Sequence, residues 1–308
     1  MSLDAPPASR TLASPTVAAA LLDAAGARPN RSMGQNFLVD ANILRIISQA
    51  AELSPFDTVI EVGSGLGALT QALVNTVGRV YALEADSRLV RILEHELGWA
   101  TNLILVEADA ARFDYATLWD GEPPDDVKMV SNLPYQIAAT LVVDCLKRYP
   151  WIREYTVMVQ REVANRLASG PGSREYSAAS VRVQVRASVS KVIRVSRNSF
   201  YPRPKVDSAL LHIVRSERST WRGSESGTEA FFDRVVSAAF GQRRKKLSNA
   251  LSSDVGPGVS ADAVREALRT LGKNSEIRAE DLSPDEFVNL ASLLEERLEP
   301  GISSPVVE

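Results

Sequence analysis

Between residues 57 and 159, short apolar runs alternate with stretches of helical spacing. The runs at 57–62, 79–83, 103–106, 128–130 and 155–159 are rich in Val, Ile and Leu and are nearly continuous, as expected of strands buried on both faces. Helical spacing such as that at 42–47 separates them, so the pattern predicts a parallel, doubly wound sheet. From 181 to 189 apolar residues hold the odd positions and polar ones the even, and 208–214 offers a partner. These two segments predict an antiparallel terminal strand pair with one wet face. Helical spacing returns at 231–240, 261–271 and 285–298, which predicts a small all-α domain at the C-terminal end. The domain boundaries expected from this pattern are a flexible tail at 1–27 with a short helix at 16–25, an α/β domain at 28–218, a Ser/Gly-rich linker at 219–228, a helical domain at 229–298 and a flexible end at 299–308.

Composition narrows the function classes. The 308 residues are 45% apolar, enough for one large core and a smaller one. The longest apolar stretch near the start, 17–22, is too short to span a bilayer and has no basic region before it, so a cytoplasmic protein with no membrane partner is expected. Cys145 is the sole cysteine and His95 and His212 are the only histidines, which leaves no disulfide, no metal cluster and no Cys/His pair to assemble. Neither histidine adjoins a nucleophile motif, so Ser-His-Asp hydrolysis falls away.

A net charge of -3 argues against a nucleic-acid partner until the charges are located. Arg182, Arg186, Lys191, Arg194, Arg197, Arg203 and Lys205 follow one another with no acidic residue between, and Arg243, Arg244, Lys245 and Lys246 form a second cluster. Acid gathers between Glu52 and Asp126 and after Asp262. A basic face on an acidic body suits a phosphate-bearing partner bound with counterion release.

The chemistry collects at strand ends, where open α/β sheets bind their ligands. Residues 61–67 read Glu-Val-Gly-Ser-Gly-Leu-Gly, a turn in which glycine lets the backbone bend and approach a ligand. Its G-x-G-x-G spacing departs from the G-x-G-x-x-G dinucleotide fingerprint. Glu84 ends the next strand, 21 residues past Gly63, where a carboxylate can accept two ribose hydroxyls, and Asp109 follows the third. The fourth run closes on Asn132-Leu133-Pro134-Tyr135, an amide, a rigid turn and an aromatic ring that together can hold a flat nucleobase by its amino group. Acidic strand ends in this order fit S-adenosylmethionine better than NAD.

These motifs, with Gly34-Gln35-Asn36-Phe37-Leu38, residues 200–208 (Phe-Tyr-Pro-Arg-Pro-Lys-Val-Asp-Ser) and residues 240–247 (Phe-Gly-Gln-Arg-Arg-Lys-Lys-Leu), make the chain resemble the rRNA adenine dimethyltransferase family over residues 28–296. The likeness is greatest to the small-subunit branch; the longer N-terminal tail and the acidic balance depart from it. The resemblance implies a Rossmann-like S-adenosylmethionine-dependent methyltransferase fold with a small all-α C-terminal domain. It implies dimethylation of two adjacent adenosines in a hairpin near the 3′ end of 16S rRNA, on the immature 30S subunit, by a monomer. Asn36 and Leu38 would close over the cofactor, Gly63 and Gly65 contact it, Glu84 hold its ribose, Asp109 its adenine, and Asn132 serve both cofactor and target. Leu133, Pro134 and Tyr135 would complete the catalytic set. Two readings of Phe200 stand, a stacking partner for the target base or a core residue. Arg203, Lys205, Arg243, Arg244, Lys245 and Lys246 are the expected RNA contacts, with Arg161 and Arg166 behind them. Competing readings are a large-subunit methyltransferase of the macrolide-resistance type, a DNA adenine methyltransferase, and a subunit assembly factor.

Overall fold

The computed structural model describes residues 9–30, 34–216, 226–256 and 258–298. The first eight residues of the expected tail, most of the expected linker and the expected 299–308 end lie outside the described residues. The chain divides into two units, one of residues up to 165 with 188–215, the other of 166–187 with the residues from 216 on.

The first unit is built on a seven-stranded sheet. Its strands in chain order are β2 (Thr58–Val62), β3 (Arg79–Glu84), β4 (Leu103–Glu107), β5 (Val127–Asn132), β6 (Ile152–Gln160), β7 (Ala187–Val195) and β9 (Ser208–Arg215). In space they run β4-β3-β2-β5-β6-β9-β7. β2 pairs in parallel with β3 and β5, β3 with β4, and β5 with β6, whereas β9 runs antiparallel to β6. Val59, Ile60 and Val62 are fully buried, as are Val127, Met129 and Val130, which is why both strands are apolar on each face. A separate two-residue strand β1 (Phe37–Leu38) pairs antiparallel with β8 (Phe200–Tyr201), setting Leu38 opposite Phe200. Three helices of this unit have defined starts. Asp40 caps α2 (Ala41–Ala50) by accepting from the Asn42 and Ile43 amides, and Asp86 caps α4 (Ser87–Leu97) through Arg88. Between them α3 (Ala68–Val74) begins at Gly67, whose φ is +83°.

The chain leaves β2 for β3 and β4, then returns to β5 on the other side of β2. That reversal is the topological switch point, and the crevice beyond the carboxyl ends of β2 and β5 is where such a sheet offers a binding site.

Two expectations are corrected. The residues from Arg10 to Ala27 are part of the fold rather than a tail. Arg10 donates to both carboxylate oxygens of Glu96 on α4, at 2.7 and 2.8 Å, and Gln71 of α3 binds the Arg10 carbonyl and the Leu12 amide. Helix α1 (Pro15–Ala24) then buries Val17, Ala18, Leu21 and Leu22 and lies against β8. The short apolar run that could not cross a membrane is long enough to seat a ten-residue helix. The second correction concerns 181–189. Residues Ala178–Gln184 form helix α7, and the strand starts only at Ala187. Ser177 and Ser180 exchange hydrogen bonds as a capping box, and Val181 and Val185 share a helix face. Val183 is buried as well, so a helix covered on a wide face imitates a period of two.

The second unit packs α7 with α8 (Ser226–Gly241), α9 (Leu247–Asp254), α10 (Ala261–Thr270) and α11 (Pro284–Leu298) around Tyr176, Phe232, Val235, Leu251, Leu268 and Phe287. The expected all-α domain is present; the difference is that residues 166–187 belong to it. Arg186, read as part of a basic face, is 4% exposed and donates to Glu229, while Arg182 donates to Asp233.

Candidate active site

A cavity of about 300 Å³ opens at the switch point. Its walls come from the ends of β2, β3 and β5, the loop after β4, and the segment 34–38. Asn36, Leu38, Gly63, Gly65, Glu84, Asp109, Asn132, Leu133, Pro134 and Tyr135 all line it, so ten of the expected site residues meet in one place.

The Gly-rich turn forms its floor. Gly63, Gly65 and Gly67 have φ of +73°, +60° and +83°, the left-handed region that side chains avoid. A Cβ on Gly63 would lie 3.2 Å from the Pro134 ring and one on Gly65 would lie 2.9 Å from Phe37, so the glycines also let the turn press against its neighbours. Gly65→Ala is expected to cost about 1–2 kcal/mol, read as a lower midpoint in thermal unfolding. An unchanged midpoint would mean the turn is free to relax.

Three acids face the cavity, and they differ. Glu84 is pinned: the Gly65 amide donates to one carboxylate oxygen at 2.9 Å, and the Ala85 and Asp86 amides donate to the other at 2.9 and 3.0 Å. Burial raises its pKa from the usual carboxylate range even so. Three of its roughly four acceptor sites are taken in this way, so the group is held still, yet the oxygen bonded to the Gly65 amide can accept a further hydrogen bond. Asp109 is more than half exposed and binds the Ala111 amide. Glu61, read from sequence only as the acid that opens the turn, is 1% exposed, and one of its oxygens is buried without a hydrogen-bond partner. Burial, helped by the like charge of Glu84, pushes it up to about 8. Among the described residues, no arginine, lysine or histidine lines the cavity. A walled acidic pocket suits a cationic ligand and disfavours a pyrophosphate, which agrees with the spacing of the glycines.

Sequence reasoning also passed over Gln35 and Asp86. The Gln35 amide donates to Asp86, which salt-bridges Arg88 and is held at about 2 by that guanidinium. This brace ties the 34–38 segment to the start of α4; Gln35 stands inside the Gly34–Leu38 motif, and that position was the available signal.

At the far wall Asn132 has its orientation fixed. Its Nδ2 donates to the Asn36 carbonyl at 3.3 Å, which leaves Oδ1 buried and unpartnered. The Leu133 amide donates to Met158 at 3.0 Å and holds the turn to β6. Tyr135 meets the Ser208 hydroxyl at 2.8 Å, which fixes its ring direction, and burial raises its pKa.

Phe200 stands apart. It is 4% exposed, packs in the core with Leu38 and Val39, and is not among the residues that line the cavity. The basic candidates divide as well. Arg203 and Lys205 are exposed beside Asp207, which pairs with Arg194 at 2.5 Å. Arg244 and Lys245 are exposed in the other unit. Arg243 instead donates to Glu280 and to the Ser173 and Arg174 carbonyls, and Lys246 pairs with Glu276. Arg166 accepts from the Ser180 hydroxyl through its carbonyl, and Arg161 lies 4.0 Å from Asp207.

Comparison with known proteins places this arrangement. The chain is 41% identical to the Ribosomal RNA small subunit methyltransferase A of Moorella thermoacetica, over 92% of this chain and 99% of that protein. It is 39% identical to the protein of the same name from Streptomyces avermitilis, over 92% and 95%. Among solved structures, a Plasmodium falciparum dimethyladenosine transferase superposes with a TM-score of 0.71 at 24% identity, covering 85% of this chain and 98% of that one. The 23S rRNA methyltransferase ErmE superposes with a TM-score of 0.63 at 26% identity, covering 84% and 100%. The fold is thus that of Rossmann-like methyltransferases, and with residues 26–296 matching the family model for ribosomal RNA adenine dimethylase, the chain belongs to that family.

Proposed function

We propose that this protein transfers methyl groups from S-adenosylmethionine to the exocyclic amines of two adjacent adenosines in a hairpin near the 3′ end of 16S rRNA, acting as a monomer on the immature 30S subunit in the cytoplasm. One observation carries the reading. Asn132 presents a buried, unpartnered carbonyl oxygen at a cavity wall, with its amide nitrogen already committed. An acceptor left open in this way suits a ligand N–H.

The cavity fits the cofactor by its donor set: the pinned Glu84 carboxylate for the ribose, Asp109 for the adenine, glycines without a Cβ at the floor, and, among the described residues, no cation to repel a cationic ligand. Asn36 and Leu38 would close over it. When bound, S-adenosylmethionine supplies an already activated methyl group, so the protein has mainly to align the acceptor. Asn132 Oδ1, with the Leu133 carbonyl as second acceptor, would take hydrogen bonds from the target amine and favour a pyramidal nitrogen whose lone pair points at the donor. Pro134 fixes the backbone that carries these groups. Tyr135, steadied by Ser208, offers its ring to the base. The amine proton, very acidic once nitrogen is alkylated, can pass to solvent, and neither His95 nor His212 lines the cavity to serve as a base.

For RNA, the exposed Arg203 and Lys205 in one unit and Arg244 and Lys245 in the other are our phosphate contacts, while Arg243 and Lys246 act through their ion pairs. An unpaired loop adenosine is the cheaper substrate, because a duplex base must first be unstacked at a cost of a few kcal/mol.

The deciding experiment is methyl transfer from labelled S-adenosylmethionine to undermethylated small subunits, with large subunits, naked rRNA and DNA in parallel and the nucleoside identified by mass spectrometry. Dimethyladenosine on small subunits alone is expected. Label confined to large subunits or DNA would overturn the substrate; cofactor binding with no transfer to any of them would favour an assembly factor.

A further inference from the structure

The mechanism above leaves one cavity group without a task. Glu61 is a fully buried carboxyl in the floor, and one of its oxygens has no partner. Such a group is costly to keep charged unless something pairs with it. Among the described residues no opposite charge does so. The charged group facing it is Glu84 on β3, of the same sign; α3 turns the neutral Thr70 hydroxyl toward it; β5 contributes the neutral Asn132 to the same cavity. Asp86 acts on Glu84 rather than on Glu61. No cation lines the walls among the described residues. The empty pocket therefore favours the protonated acid, and burial holds Glu61 up at about 8.

Resting on the S-adenosylmethionine reading, we infer that Glu61 is the internal counter-charge of the bound donor, protonated in the empty cavity and releasing its proton to solvent as the cationic ligand enters. The partner that Glu61 lacks arrives with the cofactor. Binding and ionisation are then linked: the ligand stabilises the carboxylate, and loss of the proton strengthens the hold on the ligand. Below the pKa of the empty site, affinity for the donor rises as pH rises. It levels off above that pKa.

Calorimetric titration of the full chain with S-adenosylmethionine, without RNA, in phosphate and in Tris at pH 7 reads the proton count from the difference in enthalpy. About one proton released per donor is expected, with affinity improving about tenfold per pH unit between pH 6 and 7. Glu61→Gln, which keeps the shape of the neutral acid, should bind more weakly, release no proton and lose the pH dependence. Intact binding with no proton exchange in the unaltered protein would overturn the proposal, and so would proton release persisting in Glu61→Gln, which would move the role to Glu84. Failure of the unaltered protein to bind S-adenosylmethionine would be a different result, sinking the cofactor reading itself. Thermal unfolding without ligand gives a second test. An acid whose folded pKa lies above its unfolded value destabilises the fold as pH rises through that interval, so the advantage of Glu61→Gln over the unaltered protein should widen from about pH 4.5 to about pH 8. A gap that does not change across this range would show that Glu61 ionises normally.

Discussion

Asn132→Ala is expected to cut methyl transfer by about 10²–10³-fold, the scale on which enzymes lose rate when one fixed hydrogen-bonding group at the reacting atoms is removed. The substitution deletes the open Oδ1 acceptor and, with it, the Nδ2 bond to the Asn36 carbonyl. That second loss is worth about 1 kcal/mol, so affinity for S-adenosylhomocysteine should fall only severalfold. Single-turnover methylation of small subunits, set beside calorimetric cofactor binding, separates the two effects. Asn132→Asp is the sharper companion: it keeps an acceptor but cannot donate to Asn36 when ionised, and it adds a fourth acid to a cavity that has three. Should Asn132→Ala transfer methyl groups within a few fold of the unaltered rate, the amine would have to be held by another group and the role of the 132–135 turn would need redrawing.

The second large effect lies away from the chemistry. Arg10→Met should destabilise the protein by about 3–5 kcal/mol, because it leaves Glu96 buried with its main partner gone. Both side chains are almost wholly covered, at 3% and 1% exposure, and the remaining contact of Glu96 is to His95, which is largely exposed. In thermal unfolding the loss corresponds to a drop on the order of 10 °C for a unit of this size. The double variant Arg10→Met with Glu96→Met should regain much of it, since apolar replacement of a whole buried pair is often neutral or stabilising. A drop of only a degree or two for the single variant would show that the N-terminal segment is not held against α4. The effect matters for the site because Leu12 of that segment would lie only 3.2 Å from a Cβ on Gly67, the residue that closes the Gly-rich turn and opens α3. The segment that resembled a tail thus supports the cavity floor from behind.

What could be read in advance followed from strand ends. A parallel sheet puts every carboxyl-terminal loop on one edge, so the order of Glu61–Gly67, Glu84, Asp109 and Asn132–Tyr135 along the chain was sufficient to bring them to one cavity. Partners across the cavity were not legible in the same way. That Asn36 would fix the Asn132 amide, or that Gln35 would brace Asp86, depends on how the 34–38 segment lies, and nothing local sets that. Charge runs misled for a related reason. Arg186 and Arg243 stood among exposed basic residues in the chain, yet each finds a carboxylate more than 35 residues away. The alternation at 181–189 failed because a helix covered on a wide face and a half-buried strand can produce the same short pattern, and the deciding signal, Ser177 three residues before Ser180, was a cap rather than a period. The 200–208 motif is mixed in the same way: Arg203, Lys205 and Val206 are exposed, whereas Phe200 is paired across from Leu38 in the core.

The division of the chain has a consequence for how this protein can be taken apart or recombined. The backbone passes from one unit to the other after Asn165, again after Ala187, and a third time after Arg215. A cut near residue 216 would therefore not release a complete catalytic half: it would strip Tyr176, Val181 and Val185 of the helices that cover them and leave Arg186 without Glu229. Exchanging the helical unit between relatives needs three junctions, with residues 166–187 travelling together with α8–α11. The helical unit is therefore carried by two separate stretches of chain and cannot be traded as a terminal module.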